Sequence, residues 1–209
     1  MPVSRVVVGL LWSASGICFG ADNCGRLEAG TGDHPELPHA QPYTALAARM
    51  LRVDLDHDVV MIAFVDNAHL VDPAHAIALT PRGKEWSLTY VVDKGRVRPS
   101  PPYRASVAIA APIATRVAQA WQRALDDADD VPLEACLVLD GKGYAFSAGG
   151  RKAHASEPRG LALRLVEMAA TLKDIVLDSK QGGRSRASLE AQLERQLSGL
   201  ESESALAAH

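Results

Sequence analysis

Apolar residues recur along this chain with two periods, close to two in some stretches and close to four in others. Leu51, Val53 and Leu55 alternate with Arg52 and Asp54, a polar corner Asp56-His57-Asp58 follows, and Val59 to Val65 is apolar throughout. The alternation predicts a half-buried strand and the continuous run a central strand covered on both faces, joined as a hairpin. Residues Asp66 to Pro81 show no clean period and are expected to form a long connection. Trp86, Leu88, Tyr90 and Val92 then share one face of a strand, with Ser87 and Thr89 on the other. After the turn Asp93-Lys94-Gly95, the segment Arg98-Pro99-Ser100-Pro101-Pro102 must be extended, because proline fixes its backbone and removes amide donors. It feeds a strand through Tyr103, Ala105, Val107 and Ile109.

Helical spacing begins after Pro112, a residue suited to a first helical turn, with Ile113, Val117, Trp121 and Leu125 on one face. An acidic stretch, Asp126 to Asp130, ends it. Leu133 to Leu139 reads as a strand, Asp140 to Gly143 as a turn, and Tyr144 and Phe146 as alternating positions of the return strand, which Gly149 and Gly150 close. A second helix carries Leu161, Leu165, Met168, Leu172 and Ile175 at steps of four and three. Strands, helix, hairpin and helix in that order predict an α+β fold, a mainly antiparallel sheet of five or six strands with two principal helices packed on it. The composition then shifts at Lys180-Gln181-Gly182-Gly183, so 45–178 is expected as the folded domain and 179–209 as a flexible tail. Within that tail Leu189, Leu193, Leu197 and Leu200 make a narrow stripe fit for a short helix, marginal in isolation.

The first residues change the picture. Arg5 precedes an apolar run from Val6 to Ile17, which reads as a signal peptide over 1–20, cleaved after Gly20 or Ala21. The run is shorter than the roughly 20 residues that a membrane-spanning helix needs, so no integral span is expected in the mature chain. A lipid anchor at Cys18 is the rival reading, although Ile17 is bulky where a small residue is expected. Residues 21–44, rich in Gly, Pro and polar residues, form an extended leader. Export places the protein in the periplasm or outside the cell, where the two remaining cysteines, Cys24 and Cys136, favour one disulfide over two free thiols. With 47% hydrophobic residues the chain can build a real core, and a net charge of -3 gives no field directed at nucleic acid.

Chemistry is sparse. Asp66, His69, Asp72 and His75 are spaced by three and could approach one metal ion, but Pro73 interrupts them and no general-base glutamate accompanies them. Asp54, Asp56 and Asp58 lack the glycine and distal glutamate of a calcium loop and read as a polar turn. Ser147 lacks the glycine two residues before it that a nucleophile elbow requires, and His154 nearby is no established base. No motif calls for a cofactor. The one charge asymmetry is basic: Arg82, Lys84, Lys94, Arg96, Arg98 and Arg104 against Glu85 and Asp93. Arg96, Arg98 and Tyr103, stiffened by the prolines, are the candidate binding residues, the alternative being charges that guard a sheet edge.

Ser100-Pro101-Pro102-Tyr103, the helix with Trp121, Leu139-Asp140-Gly141 and Tyr144-Ala145-Phe146-Ser147 before a leucine-rich helix together resemble a group of uncharacterised exported proteobacterial proteins. The resemblance implies an envelope location and a sheet with two helices, and it implies no activity. The expectation is a non-catalytic module that binds an unidentified envelope protein, in the manner of an inhibitor or immunity factor. The alternatives are a metal-assisted envelope hydrolase using the Asp66 to His75 set, and a structural envelope component that self-associates through its C-terminal stripe.

Overall fold

Glycine turns set the register of the sheet. The protein is seen in a computed structural model that describes residues 26–29, 50–52, 57–65, 74–93, 101–128, 142–156, 158–181 and 185–207. Its strands are β1 (Glu28–Ala29), β2 (Val59–Val65), β3 (Ala74–Arg82), β4 (Glu85–Asp93), β5 (Tyr103–Ile109), β6 (Lys142–Ala148) and β7 (Arg151–Ser156), and its helices α1 (Ala111–Asp126), α2 (Gly160–Gln181) and α3 (Arg186–Ala207). Arg82 pairs with Glu85 across Gly83, whose φ of 65° suits the first central position of a two-residue hairpin turn. Ala148 pairs with Arg151 across Gly149 and Gly150, with φ of 54° and 77°, as a two-glycine turn of the primed type requires. The strands form one antiparallel sheet in the order β1-β7-β6-β2-β3-β4-β5.

The α+β class is as expected, and the strand assignment differs in four places. Among the described residues the count is seven rather than five or six, β1 being only two residues long. Ala74–Arg82, expected within a long connection, is a nine-residue central strand. Its alternation is hidden because Ala74, Ala76 and Ala78, weak strand formers, make up most of one face, and because Pro81 breaks the pattern. Pro81 is tolerated there: Arg82 bonds toward β4 at the hairpin, so position 81 faces the β2 side, where pairing has already ended at Val59 and Leu79. Arg151–Ser156 is a strand too, so the chain continues past the two glycines as a hairpin. Leu51, expected in a strand, is helical together with Met50, and both are buried. Leu133 to Leu139, the signal segment, Cys18, Cys24 and Cys136 lie outside the described residues, as does the leader except for 26–29, where Leu27 is buried and Glu28–Ala29 pairs with β7.

One sheet face carries Ile77, Leu79, Leu88, Tyr90, Ala105, Ile109, Phe146, Ala153 and Ala155, all buried beneath the helices. α1 packs on β4, β6 and β7, and α2 on β3, β4 and β5. Trp121 of α1 meets Phe146 with ring centroids 6.1 Å apart. On the other face Ala76, Ala78, Thr89 and Val91 are buried as well, and Thr89 Oγ1 lies 2.9 Å from Ser106 Oγ across β4 and β5. That face is closed in part by the helical turn at Met50 and Leu51, whose terminal carbonyls both accept from Arg104 Nη2, at 2.6 and 2.9 Å. Arg52 follows in the left-handed region, φ 54°, as the residue after a helix often does.

The expected tail is instead a 22-residue helix, α3, packed on α2 and α1. Ser185 starts it, its Oγ accepting from the Ser188 amide at 3.3 Å as an N-cap does. Leu189, Leu193, Leu197 and Leu200 are all buried, so the stripe that would have served self-association is consumed inside the chain. Polar contacts fix its rotation. Gln192 Nε2 donates to Thr171 Oγ1 of α2 at 3.0 Å, and Arg116 of α1 pairs with both Glu194 and Glu201. Hydrogen bonding to Arg116 holds the Glu201 carboxyl below its ordinary value, and Glu201 raises the Arg116 guanidinium.

Burial of this stripe makes a direct prediction for stability. Leu193→Ala should cost about 2–5 kcal/mol of unfolding free energy in denaturant titration, whereas Leu163→Ala, on the exposed face of α2, should change it by less than about 0.5 kcal/mol.

Candidate functional site

Cross-strand register brings His75 of β3, Val92 of β4 and Tyr103 of β5 into one row on the helix-covered face. Tyr90 sits two positions along β4 from Val92, so its ring stands diagonally between His75 and Tyr103. The His75 and Tyr90 rings stack with centroids 5.9 Å apart, and His75 Nδ1 and the Tyr90 hydroxyl share a 2.6 Å hydrogen bond. On the other side Tyr103 meets Tyr90 edge to face, at 6.5 Å and 67°. The result is a continuous aromatic row across three strands, buried at Tyr90 and open at Tyr103, which is 39% exposed.

Asp174 belongs to α2, the helix that packs on β3, β4 and β5. Burial raises the Tyr90 phenol above its ordinary 10.0, and the charges of Tyr103 and Asp174 raise it further. The Asp174 carboxylate is 44% exposed and lies 3.8 Å from its chain neighbour Lys173. The site therefore combines two phenol rings in edge-to-face contact, a hydrogen-bonded imidazole and a partly exposed carboxylate that acts on Tyr90 electrostatically.

β5 is the sheet edge, and its backbone polarity follows from the turns. Because Arg82 and Glu85 bond to each other, Trp86, Leu88, Tyr90 and Val92 must bond toward β5, and their partners Ile109, Val107, Ala105 and Tyr103 bond back. Arg104, Ser106 and Ala108 thus direct their amides and carbonyls away from the sheet. The Ala108 carbonyl accepts from Arg186 Nη2 at 2.7 Å, which closes that end of the edge with the first residue of α3. Among the described residues no strand pairs with the outer side of β5.

Two residues expected on separate grounds, His75 for a metal set and Tyr103 for binding, thus meet through Tyr90. Asp66, His69, Asp72, Arg96 and Arg98 lie outside the described residues. Arg104, part of the basic run, is spent on the Met50 and Leu51 carbonyls. Ser147 is the next-to-last residue of β6, paired with Lys152, with His154 two residues along β7 on the same face, away from the helices. It is buried, and the turn that follows leads into a strand, unlike the sharp strand-to-helix turn that exposes a nucleophilic serine. Sequence reasoning counted Tyr90 as core and overlooked Asp174. The available signal was the phenol itself, because a buried tyrosine hydroxyl needs a polar partner and His75 was the nearest candidate on a neighbouring strand.

The raised phenol is open to test. A group whose folded value lies above its unfolded one contributes stability that is complete below pH 10.0 and is lost as pH rises through the folded value. Spectrophotometric titration should show one tyrosine ionising later than the others, and Tyr90→Phe should remove that step while lowering stability by about 1 kcal/mol through the lost hydrogen bond. An unchanged titration curve in the variant would place the late phenol elsewhere.

Compared with protein-family profiles, curated proteins and solved structures, the chain matches none.

Proposed function

We propose that the protein is a non-catalytic module of the cell envelope that binds another protein at the Tyr103 end of strand β5. The observation that carries this reading is the conjunction at one edge of a half-exposed tyrosine and of the outward-facing backbone of Arg104 and Ser106. Aromatic residues dominate interface energies, and an edge strand offers hydrogen-bond groups to an incoming extended chain. Rigidity supports it further. β5 is entered through Pro101 and Pro102 and held by β4 along its whole length, so little ordering is required on binding. Export and an envelope location rest on the apolar N-terminal segment and on the resemblance to exported proteobacterial proteins. No helix among the described residues is long and apolar enough to cross a membrane.

The buried leucine stripe of α3 weighs against self-association as a structural component. With a partner captured from envelope extract and identified, Tyr103→Ala and Arg98→Ala should each weaken its binding by about 1–2 kcal/mol with circular dichroism unchanged. Full affinity in both variants would place the interface elsewhere.

A further inference from the structure

We propose that two copies of the chain associate reversibly by pairing their β5 edges antiparallel, with Arg104 of each copy opposite Ser106 of the other. The inference goes beyond the partner-binding reading and stands on the edge itself. Arg104, Ser106 and Ala108 are exposed, their backbone groups point away from β4, and no strand among the described residues pairs with them. Two positions on this edge offer an incoming strand less than the usual set of groups: Arg186 already holds the Ala108 carbonyl at 2.7 Å, and Pro102 has no amide hydrogen. The Pro102 carbonyl does point outward, because it shares a trans peptide with the Tyr103 amide, which bonds toward β4.

Only one symmetric register sets those two positions against each other. With Arg104 opposite Ser106 of the second copy, Pro102 falls opposite Ala108, so the missing donor meets the carbonyl that is already occupied. Every remaining group then has a counterpart: Arg104 and Ser106 exchange amide and carbonyl bonds, and the Ala108 amide donates to the Pro102 carbonyl. Sliding the copies one way sets Ser106 against itself and aims each Arg104 amide at an Ala108 carbonyl that Arg186 holds. Sliding them the other way opposes Arg104 to Arg104, like charges face to face, and leaves the Ser106 carbonyl against Pro102. On the helix-covered face the matched register puts Ala105 at the two-fold axis and the partly exposed Tyr103 against half-buried Val107 of the second copy. That is an aromatic and β-branched pair at a position where cross-strand side chains lie close. The leucine stripe of α3 takes no part and stays buried within each copy.

A single strand pair falls short of the roughly 1,200 Å² that stable interfaces bury, so a dissociation constant on the order of 100 µM is expected. Sedimentation velocity of the full chain from about 5 to about 500 µM should therefore show monomer passing to dimer. Over the same range the NMR amide signals of Arg104, Ser106 and Ala108 should shift, and an NOE should appear between the Tyr103 ring and the Val107 methyls. Those two residues stand about 13 Å apart along one strand, so that contact can arise only between copies. Ser106→Pro, which removes the central amide at an edge position that tolerates proline, should keep the protein monomeric, and Tyr103→Ala should weaken the dimer by about fivefold to tenfold. Should Ser106→Pro fail to fold, the wild-type amide shifts and NOE decide alone. A monomer at the highest concentration, or a dimer without the NOE from Tyr103 to Val107, would overturn the inference. If the chain stays monomeric while Tyr103→Ala weakens capture of the partner, the binding module stands and the dimer falls. If the dimer forms as described and the partner binds it without dissociating it, the dimer stands and the partner site lies off β5.

Discussion

Burial of one leucine stripe ties this molecule together. α1 and α2 each cover part of a single sheet face, and α3 packs on both of them. Leu189, Leu193, Leu197 and Leu200 of α3 bury themselves there beside Leu165, Met168 and Leu172 of α2, all nearly inaccessible to water. Each such side chain contributes about 1.5–3 kcal/mol relative to exposure, so four of them outweigh the polar contacts that accompany them. The ion pairs of Arg116 with Glu194 and Glu201 are partly exposed and set orientation more than they add stability.

The position of α3 has a consequence at the sheet edge. Ser185 caps the helix and Arg186, its first residue, reaches the Ala108 carbonyl, so the docking of α3 decides where the open part of β5 ends. On the opposite face Arg104 anchors the helical turn at Met50 and Leu51. Tyr103 stands at the start of the strand, next to Arg104 and at the end away from Ala108, and the aromatic row behind it runs back through Tyr90 to His75. The edge that would bind a partner is therefore short, closed at the Ala108 end by Arg186 and backed by the hydrogen-bonded aromatic row.

The elements with strong periodicity were legible. α1 and α2 follow their apolar positions, and the alternation of β4 marks its helix-covered face, because each pattern reports burial on one side. β3 escaped because its second face is mostly alanine, small enough for a close cover on that side and too weak a strand signal to read alone. β7 escaped because Ala153 and Ala155 supply its buried face, and Gly149-Gly150 looked like an end where it is a turn. Leu51 alternated with its neighbours by coincidence; the preceding Ala45-Leu46-Ala47-Ala48-Arg49-Met50 is rich in strong helix formers. α3 was underestimated for a different reason. A narrow stripe on a short helix is marginal alone, and only its packing on α1 and α2 makes it a buried element. The site was half legible for the same physical cause: Tyr103 and His75 carry visible chemistry, whereas their meeting through Tyr90 depends on a three-strand register that local pattern does not encode.

Hydrogen exchange of the backbone amides tests most directly whether α3 belongs to the cooperative core. Amides between Leu193 and Leu200 are expected to exchange as slowly as those of β4 in the sheet centre, because both open only with global unfolding. Exchange of that segment at the rate of a free peptide, while β4 stays protected, would contradict the account and return α3 to a detachable tail.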